Sequence, residues 1–279
     1  MSRQYRLLGH PLGHSMSPPI HTRLFTLASH DGEYALCDAP PEDLSTAVPS
    51  LLRECAGFNV TIPHKVAVIP YLDALDESAA RYGAVNCVRC GDENIGYNTD
   101  VTGFVRSIEA LGASLSKSVL LLGCGGVGRM MAVEVILSGG TLTIAVRGED
   151  IHAAQELREE LLAKRADASV TVCLLCDEFP PHDLLINATP VGMYPHEDAS
   201  PLPGAFPSVR FVFDAVYNPV ETHLLRDART AGIPAMGGMS MLVLQAAAAH
   251  EIWYGAQFRT DDLAMLTAEM ERQVAASFR

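Results

Sequence analysis

Ser118-Val119-Leu120-Leu121-Leu122-Gly123-Cys124-Gly125-Gly126-Val127-Gly128 is the stretch on which the fold turns. It opens as an unbroken apolar run without alternation, the pattern of a parallel strand buried on both faces. Gly123, Gly125 and Gly128 then fit G-x-G-x-x-G. That spacing is weak alone, because glycine is common. Between a buried strand and a helix it has a mechanism. The first glycine permits a tight turn, the second brings backbone close to a pyrophosphate, and the third lets the helix pack closely. The helix N-terminus adds free N–H groups and the positive end of its dipole. The helix itself carries Val127, Met130, Met131, Val133, Ile136 and Leu137, and Gly139-Gly140 ends it.

Downstream, strands at 141–146, 170–175, 184–187 and 211–214 alternate with helices at 151–164 and 221–231, and 233–236 closes the series. Upstream, the pattern predicts strands at 5–9, 33–37, 57–60, 85–89 and 94–97. Ser17 before Pro18-Pro19 reads as the N-cap of a helix reaching about residue 28. Residues 42–53 read as a helix split by Pro49, and 77–82 as a short helix. Asp100 precedes a helix at 101–111 that Gly112 terminates. The last segment, 239–254 and 261–277, is helical and continues no sheet. The fold class is therefore α/β. An N-terminal α/β domain (1–101, joined by helices in 238–279 that pack back on it) accompanies a doubly wound parallel sheet of Rossmann type at 102–237.

The chain has 279 residues, 48% hydrophobic and 19% charged, which suits packed domains rather than disorder. Lys and Arg number 20 against 33 Asp and Glu, a net charge of −13. Such a chain is a poor general partner for nucleic acid or anionic lipid. No apolar run reaches the ~18–20 residues that span a bilayer. The opening residues lack a signal-peptide core, so a cytoplasmic location is expected. Seven cysteines do not resemble a secreted disulfide framework. Cys87/Cys90 and Cys173/Cys176 are CxxC pairs, but both lie in strand-like runs, where an odd offset turns the two sulfurs to opposite faces. Buried reduced thiols are the reading, not zinc. His10, His14, His21 and His64 carry no metal assignment, and His21 reads as a helix-face residue that packs or bonds locally.

Arg147 stands 19 residues after Gly128, at the end of the second strand of the parallel unit. An acid there would accept from a ribose 2′-hydroxyl, whereas arginine pairs with a 2′-phosphate. The expected cofactor is NADP, with NAD as the alternative. Glu149 and Asp150 would repel that phosphate or compete for the arginine.

Polar residues gather at predicted loop ends of the first domain: 9–18, Asn59-Val60-Thr61-Ile62-Pro63-His64-Lys65, Gly83-Ala84-Val85-Asn86 and Asn98-Thr99-Asp100. Hydroxyls, carboxamides, one lysine and one carboxylate suit a small polyhydroxy acid. Each also has a structural reading: Ser17 and Asp100 as helix caps, Lys65 as a solvated lysine. Together with Asn187-Ala188-Thr189-Pro190-Val191-Gly192-Met193, Asp214-Ala215-Val216-Tyr217-Asn218-Pro219 and 238–246, these motifs resemble the shikimate dehydrogenase family over nearly the whole chain.

The resemblance implies reversible NADPH reduction of 3-dehydroshikimate to shikimate, in aromatic amino-acid biosynthesis, by a monomer or homodimer. It implies Lys65 and Asp100 as the catalytic pair. Ser15 and Ser17, helped by Tyr217, would bind the substrate carboxylate, and Asn59, Thr61, Asn86, Asp100 and Gln245 the ring hydroxyls. Gly123, Gly125, Gly126, Val127, Gly128, Arg147, Thr189 and Val216 would hold the cofactor, with Gly237 and Met239 beside the nicotinamide. The family usually has Asn-Arg-Thr where this chain has Val146-Arg147-Gly148, so only the arginine of that clamp remains. The competing readings are a quinate/shikimate dehydrogenase using NAD and a non-catalytic sensor of the same ligands.

Overall fold

The computed structural model describes residues 3–13, 15–175, 178–202 and 204–277. Of these, 3–103 with 243–270 form one compact unit, and 104–242 with 271–277 a second. The strands are β1 (Arg3–Gly9), β2 (Gly32–Asp38), β3 (Gly57–Val60), β4 (Ala74–Leu75), β5 (Cys87–Arg89), β6 (Ile95–Tyr97), β7 (Ser118–Leu122), β8 (Thr141–Val146), β9 (Val170–Leu174), β10 (His182–Asn187), β11 (Val209–Asp214) and β12 (Ala235–Gly237). The helices are α1 (Ser17–Leu27), α2 (Leu44–Glu54), α3 (Glu77–Tyr82), α4 (Thr99–Ala110), α5 (Gly126–Leu137), α6 (Ile151–Lys164), α7 (His223–Thr230), α8 (Met239–Tyr254) and α9 (Thr260–Ser277).

The first unit is built on a mixed sheet in the order β2-β1-β3-β5-β6-β4. β1 pairs parallel with β2 and β3, while β5 runs antiparallel to β3 and β6. Alternation along β1 sends Tyr5 and Leu7 to one face and Leu8 to the other. The first face is aromatic, with Phe25 of α1, Tyr34 of β2 and Trp253 of α8. Trp253 Nε1 donates to the Val88 carbonyl at 2.9 Å, and a Cβ on Gly57 would stand 2.2 Å from that nitrogen. Only glycine fits beneath the indole. The opposite face buries Val48 and Leu51 of α2 against Leu8, Phe58, Val60 and Val88.

The first CxxC pair is split between these two cores: Cys87 belongs to the aromatic face and Cys90 packs on the other. Cys37, Cys55, Cys87, Cys90, Cys124 and Cys173 are free thiols. Cys176, the other half of the second pair, and His14 lie outside the described residues.

Two local expectations are corrected. Pro49 lies inside an unbroken α2 rather than splitting it. Its ring removes one helical hydrogen bond, but Leu44, Val48 and Leu51 anchor the helix to the sheet on both sides of it. Ser17 is the first residue of α1, not its cap. Ser15 Oγ accepts the Ser17 N–H at 3.2 Å, so the serine two places earlier takes the role that a cap would have.

In the second unit all strands are parallel, ordered β12-β11-β10-β7-β8-β9. Counted within the unit this is the doubly wound order, with the chain reversing direction across the sheet between β7 and β10. Val119, Leu120, Leu121 and Leu122 have no solvent exposure, as the unalternated run requires. Gly112 and Gly139, both at positive φ, end α4 and α5. Among the described residues no helix is long and apolar enough to cross a membrane.

His21 of α1 and His250 of α8 share a 2.8 Å hydrogen bond inside the aromatic core of the first unit, neither exposed to solvent. His21 stacks on Tyr34 with ring centroids 3.9 Å apart, and His250 bonds the Tyr254 hydroxyl. Burial first, then the neighbouring imidazole, holds His21 well below its usual pKa; burial brings His250 down to about 3. Both rings are therefore neutral in the fold, while an unfolded histidine titrates near ~6.5. The unfolded chain binds more protons below that pH. The stability is present above pH ~6.5 and is lost as pH falls toward 3, with a slope of about 1.4 kcal/mol per pH unit for each ring. Urea unfolding between pH ~7 and ~5 should show a shallower decline for His250→Gln than for the parent. Equal slopes would contradict this assignment.

Candidate functional site

In the first unit the polar loop ends converge. β3 leads into the loop that carries Lys65. His64 anchors that loop from inside, its Nε2 donating to the Ala39 carbonyl at 2.7 Å, and the Lys65 carbonyl accepts the Val85 N–H at 2.8 Å. The lysine side chain then meets the first turn of α4: Nζ donates to Asp100 Oδ2 at 2.6 Å. Both side chains are mostly covered, 29% and 21% exposed, so this is not a lysine waving in water.

Asp100 is held from several directions. Its N–H donates to Asn98 Oδ1 at 3.2 Å, and its Oδ1 accepts Asn86 Nδ2 at 2.8 Å. Asn86 is buried, and its own Oδ1 accepts the Thr99 N–H at 2.6 Å. Gln245 of α8 closes the cluster, with Oε1 3.3 Å from the Thr99 hydroxyl and 3.5 Å from Asn86 Nδ2. Asn59 Nδ2 donates to the Asn86 carbonyl at 3.2 Å, and Asn59 Oδ1 accepts the Tyr34 hydroxyl at 2.8 Å. Ser17 lies beside that phenol, whose pKa burial raises well above the ordinary value. A continuous polar path thus links Ser15 and Ser17, through Tyr34, Asn59 and Asn86, to Asp100 and Lys65. Thr61 stands at the start of the lysine loop, its N–H donating to the Leu8 carbonyl at 2.8 Å.

Chemically, the arrangement offers a fixed ammonium beside a fixed carboxylate. One of the three Nζ donors goes to Asp100, leaving the others for a ligand oxygen. The surrounding carboxamides both donate and accept, which matches a ring bearing several hydroxyls.

The second unit gathers the other expected residues at the carboxyl ends of its parallel strands, where open α/β sheets bind ligands. Gly123 turns at φ +91°, and a Cβ there would meet Thr189 Cγ2 at 2.7 Å. A Cβ on Gly128 would meet the Gly123 carbonyl oxygen at 2.7 Å, while over Gly125 and Gly126 there is open space within 4 Å. Gly125 has no side chain to cap α5, so no side chain at that position takes up the first N–H groups of the helix. Val127 is exposed beside them. The loop therefore fits a pyrophosphate: crowded where helix and strand must touch, empty where the ligand would lie.

Asp214 ties two of these strand ends together. It is fully buried, and burial raises its pKa against the pull of its hydrogen bonds. Its Oδ1 accepts Asn187 Nδ2 at 2.9 Å and the Val216 N–H at 3.0 Å, and its Oδ2 accepts the Thr222 hydroxyl at 2.6 Å. Asn187 Oδ1 in turn accepts the Thr189 hydroxyl at 2.7 Å. Val216 accepts the Gly238 N–H, which places Gly237 next to it, and Met239 is buried at the start of α8. Tyr217 belongs to this unit as well, and burial raises its phenol. Arg147 directly follows β8, but its guanidinium is turned onto Glu149 and Asp150.

Tyr34, Thr99 and Asp214 had no assigned role in the sequence reading. A tyrosine alternating inward on a strand signals a buried hydroxyl in need of a partner, but nothing local names Asn59 as that partner.

Residues 7–88 match the family model of the shikimate dehydrogenase substrate binding domain. Over 260 residues the chain is 40% identical to the shikimate dehydrogenase (NADP(+)) of Moorella thermoacetica, covering 89% of this chain and 87% of the other. A crystal structure of the Thermus thermophilus shikimate 5-dehydrogenase in complex with NADP(H) and shikimate superposes with TM-score 0.81 at 30% identity, covering 96% of this chain and 99% of that one. The 5-ketofructose reductase of a Gluconobacter strain, in ligand-free form, reaches 0.82 at 31% identity over 97% and 99%. The chain belongs to the shikimate dehydrogenase family.

Proposed function

We propose that the chain is an oxidoreductase that reduces 3-dehydroshikimate reversibly to shikimate with NADPH, in chorismate and aromatic amino-acid biosynthesis. The observation that carries this reading is the 2.6 Å contact between Lys65 Nζ and Asp100 Oδ2, set among buried carboxamides in a member of this family. The unit around Lys65 takes the substrate, and the parallel-sheet unit takes the dinucleotide. On this reading the protein is cytoplasmic, acts on small molecules without a nucleic-acid partner, and works as a monomer or homodimer.

Ser15 and Ser17, with Tyr217, hold the substrate carboxylate. Asn59, Thr61, Asn86, Asp100 and Gln245 hold the ring hydroxyls. Gly123, Gly125, Gly126, Val127 and Gly128 cradle the pyrophosphate, Arg147 meets the 2′-phosphate, and Thr189, Val216, Gly237 and Met239 line the rest of the cofactor site. NADPH, when bound, supplies the hydride.

As the substrate carbonyl is reduced, negative charge grows on its oxygen. The Lys65 ammonium stabilises that charge and donates the proton that makes the alcohol, leaving a neutral amine to be reprotonated from solvent. In the oxidative direction the neutral amine takes the hydroxyl proton. Asp100 fixes the ammonium in place and accepts from a neighbouring ring hydroxyl.

Fold alone does not choose the ketone. Steady-state kcat/KM for shikimate, quinate and 5-ketofructose, each with both nicotinamide cofactors in the appropriate direction, tests the reading. The highest value is expected for shikimate with NADP. A preference for quinate with NAD, or ligand binding with no turnover at all, would overturn it. Lys65→Ala should lower kcat by about 10²–10⁴-fold, with KM changed within roughly threefold because the lost interaction belongs to the transition state. Near-parental kcat in that variant would remove Lys65 from the chemistry.

A further inference from the structure

Arg147 is already occupied. Its Nη1 lies 2.7 Å from Glu149 Oε1, and its Nη2 and Nε lie 3.0 and 3.2 Å from Asp150 Oδ2. Three of the five guanidinium donors are thereby engaged. One cation and two carboxylates leave the cluster with a net charge of −1. The Arg147 side chain is 65% exposed, so a solvent anion can reach it.

The cluster sits beside the glycine loop. β8 and β7 are neighbours, with Ala145 opposite Leu122, one residue from Gly123. Burial, and after it the charge of Asp150, raises the Cys124 thiol within that loop. Gly148 adds no side chain at this strand end, and the space where its Cβ would stand is empty within 4 Å. Arginine is thus the one cation among residues 146–150, and its two carboxylates come from the same turn.

We propose that Glu149 and Asp150 are specificity-determining residues: they hold Arg147 in an internal clamp that a 2′-phosphate must open, so the chain discriminates only weakly between NADP and NAD. The inference rests on the reading of the parallel-sheet unit as a dinucleotide site. Exposed ion pairs are individually weak, so the arginine is free to change partners. The displaced carboxylates remain on the same turn and face a group that carries close to two negative charges. Attraction from one arginine is then largely offset by repulsion from two acids. A ribose 2′-hydroxyl carries no charge and meets no such opposition. The expected preference for NADP over NAD is about tenfold or less, where ~1.4 kcal/mol corresponds to a factor of ten.

Calorimetric titration with 2′,5′-ADP and with 5′-AMP, which require no turnover, tests this on the full chain. The parent should bind the two nucleotides within about tenfold of each other. E149Q/D150N should tighten 2′,5′-ADP by about tenfold or more and leave 5′-AMP within roughly twofold, with the NADP/NAD ratio of kcat/KM rising in parallel. The 5′-AMP affinity also shows that the variant is folded at this site. If both nucleotides bind and the double substitution leaves their ratio unchanged, the clamp is refuted while the dinucleotide site stands. If the parent binds neither nucleotide, both readings fall together.

Discussion

Everything in the first unit is arranged around one contact, the ammonium of Lys65 against the carboxylate of Asp100. The two residues are 35 positions apart, the lysine on the loop after β3 and the aspartate in the first turn of α4. Neither segment is left to find its place. His64 and Val85 fix the backbone around the lysine, and Asn86, Asn98 and Thr99 fix the start of α4. The pair is mostly covered, with 29% and 21% of the two side chains exposed. Its surroundings are what give it meaning: a set of buried carboxamides engaged with one another holds the charged groups in one geometry before any ligand arrives. Such preorganisation lets an ammonium meet developing negative charge without the cost of reorienting it.

The second unit solves a different problem with the same device. Its parallel strands bring several loops to one edge, and those loops must keep a common shape. Asp214 is the shared anchor, a buried carboxylate with three donors from Asn187, Val216 and Thr222. The glycine loop needs no such anchor, because sterics set its shape. Gly123 and Gly128 sit where a Cβ would collide, and Gly125 and Gly126 where nothing stands in the way.

Most of the architecture was legible because its causes are local. The apolar run at 118–122, the glycine spacing after it and the helix ends at Gly112 and Gly139 all act over a few residues. The helices at 77–82 and 151–164 begin and end where patterning places them. What escaped the sequence depends on distant neighbours. Tyr34 meets Asn59 25 positions away, Asn86 meets Gln245 159 away, and His21 meets His250 229 away. Pattern shows each of these as polar or inward-facing but not as partners. Pro49 departs from the local rule for the same reason, since burial of Val48 and Leu51 outweighs the lost hydrogen bond. The competition for Arg147 was readable in part: Glu149 and Asp150 are adjacent in sequence, and coordinates add that both are bound to the guanidinium at once.

The central claim is that Lys65 and Asp100 act as one unit. A double-mutant cycle with Lys65→Met and Asp100→Asn, read as kcat/KM for shikimate oxidation with NADP, tests it most directly. Groups that work together are non-additive, so the double variant should be about as impaired as the worse single one. Losses that multiply across the two substitutions would mean that each residue acts alone, and would contradict the account.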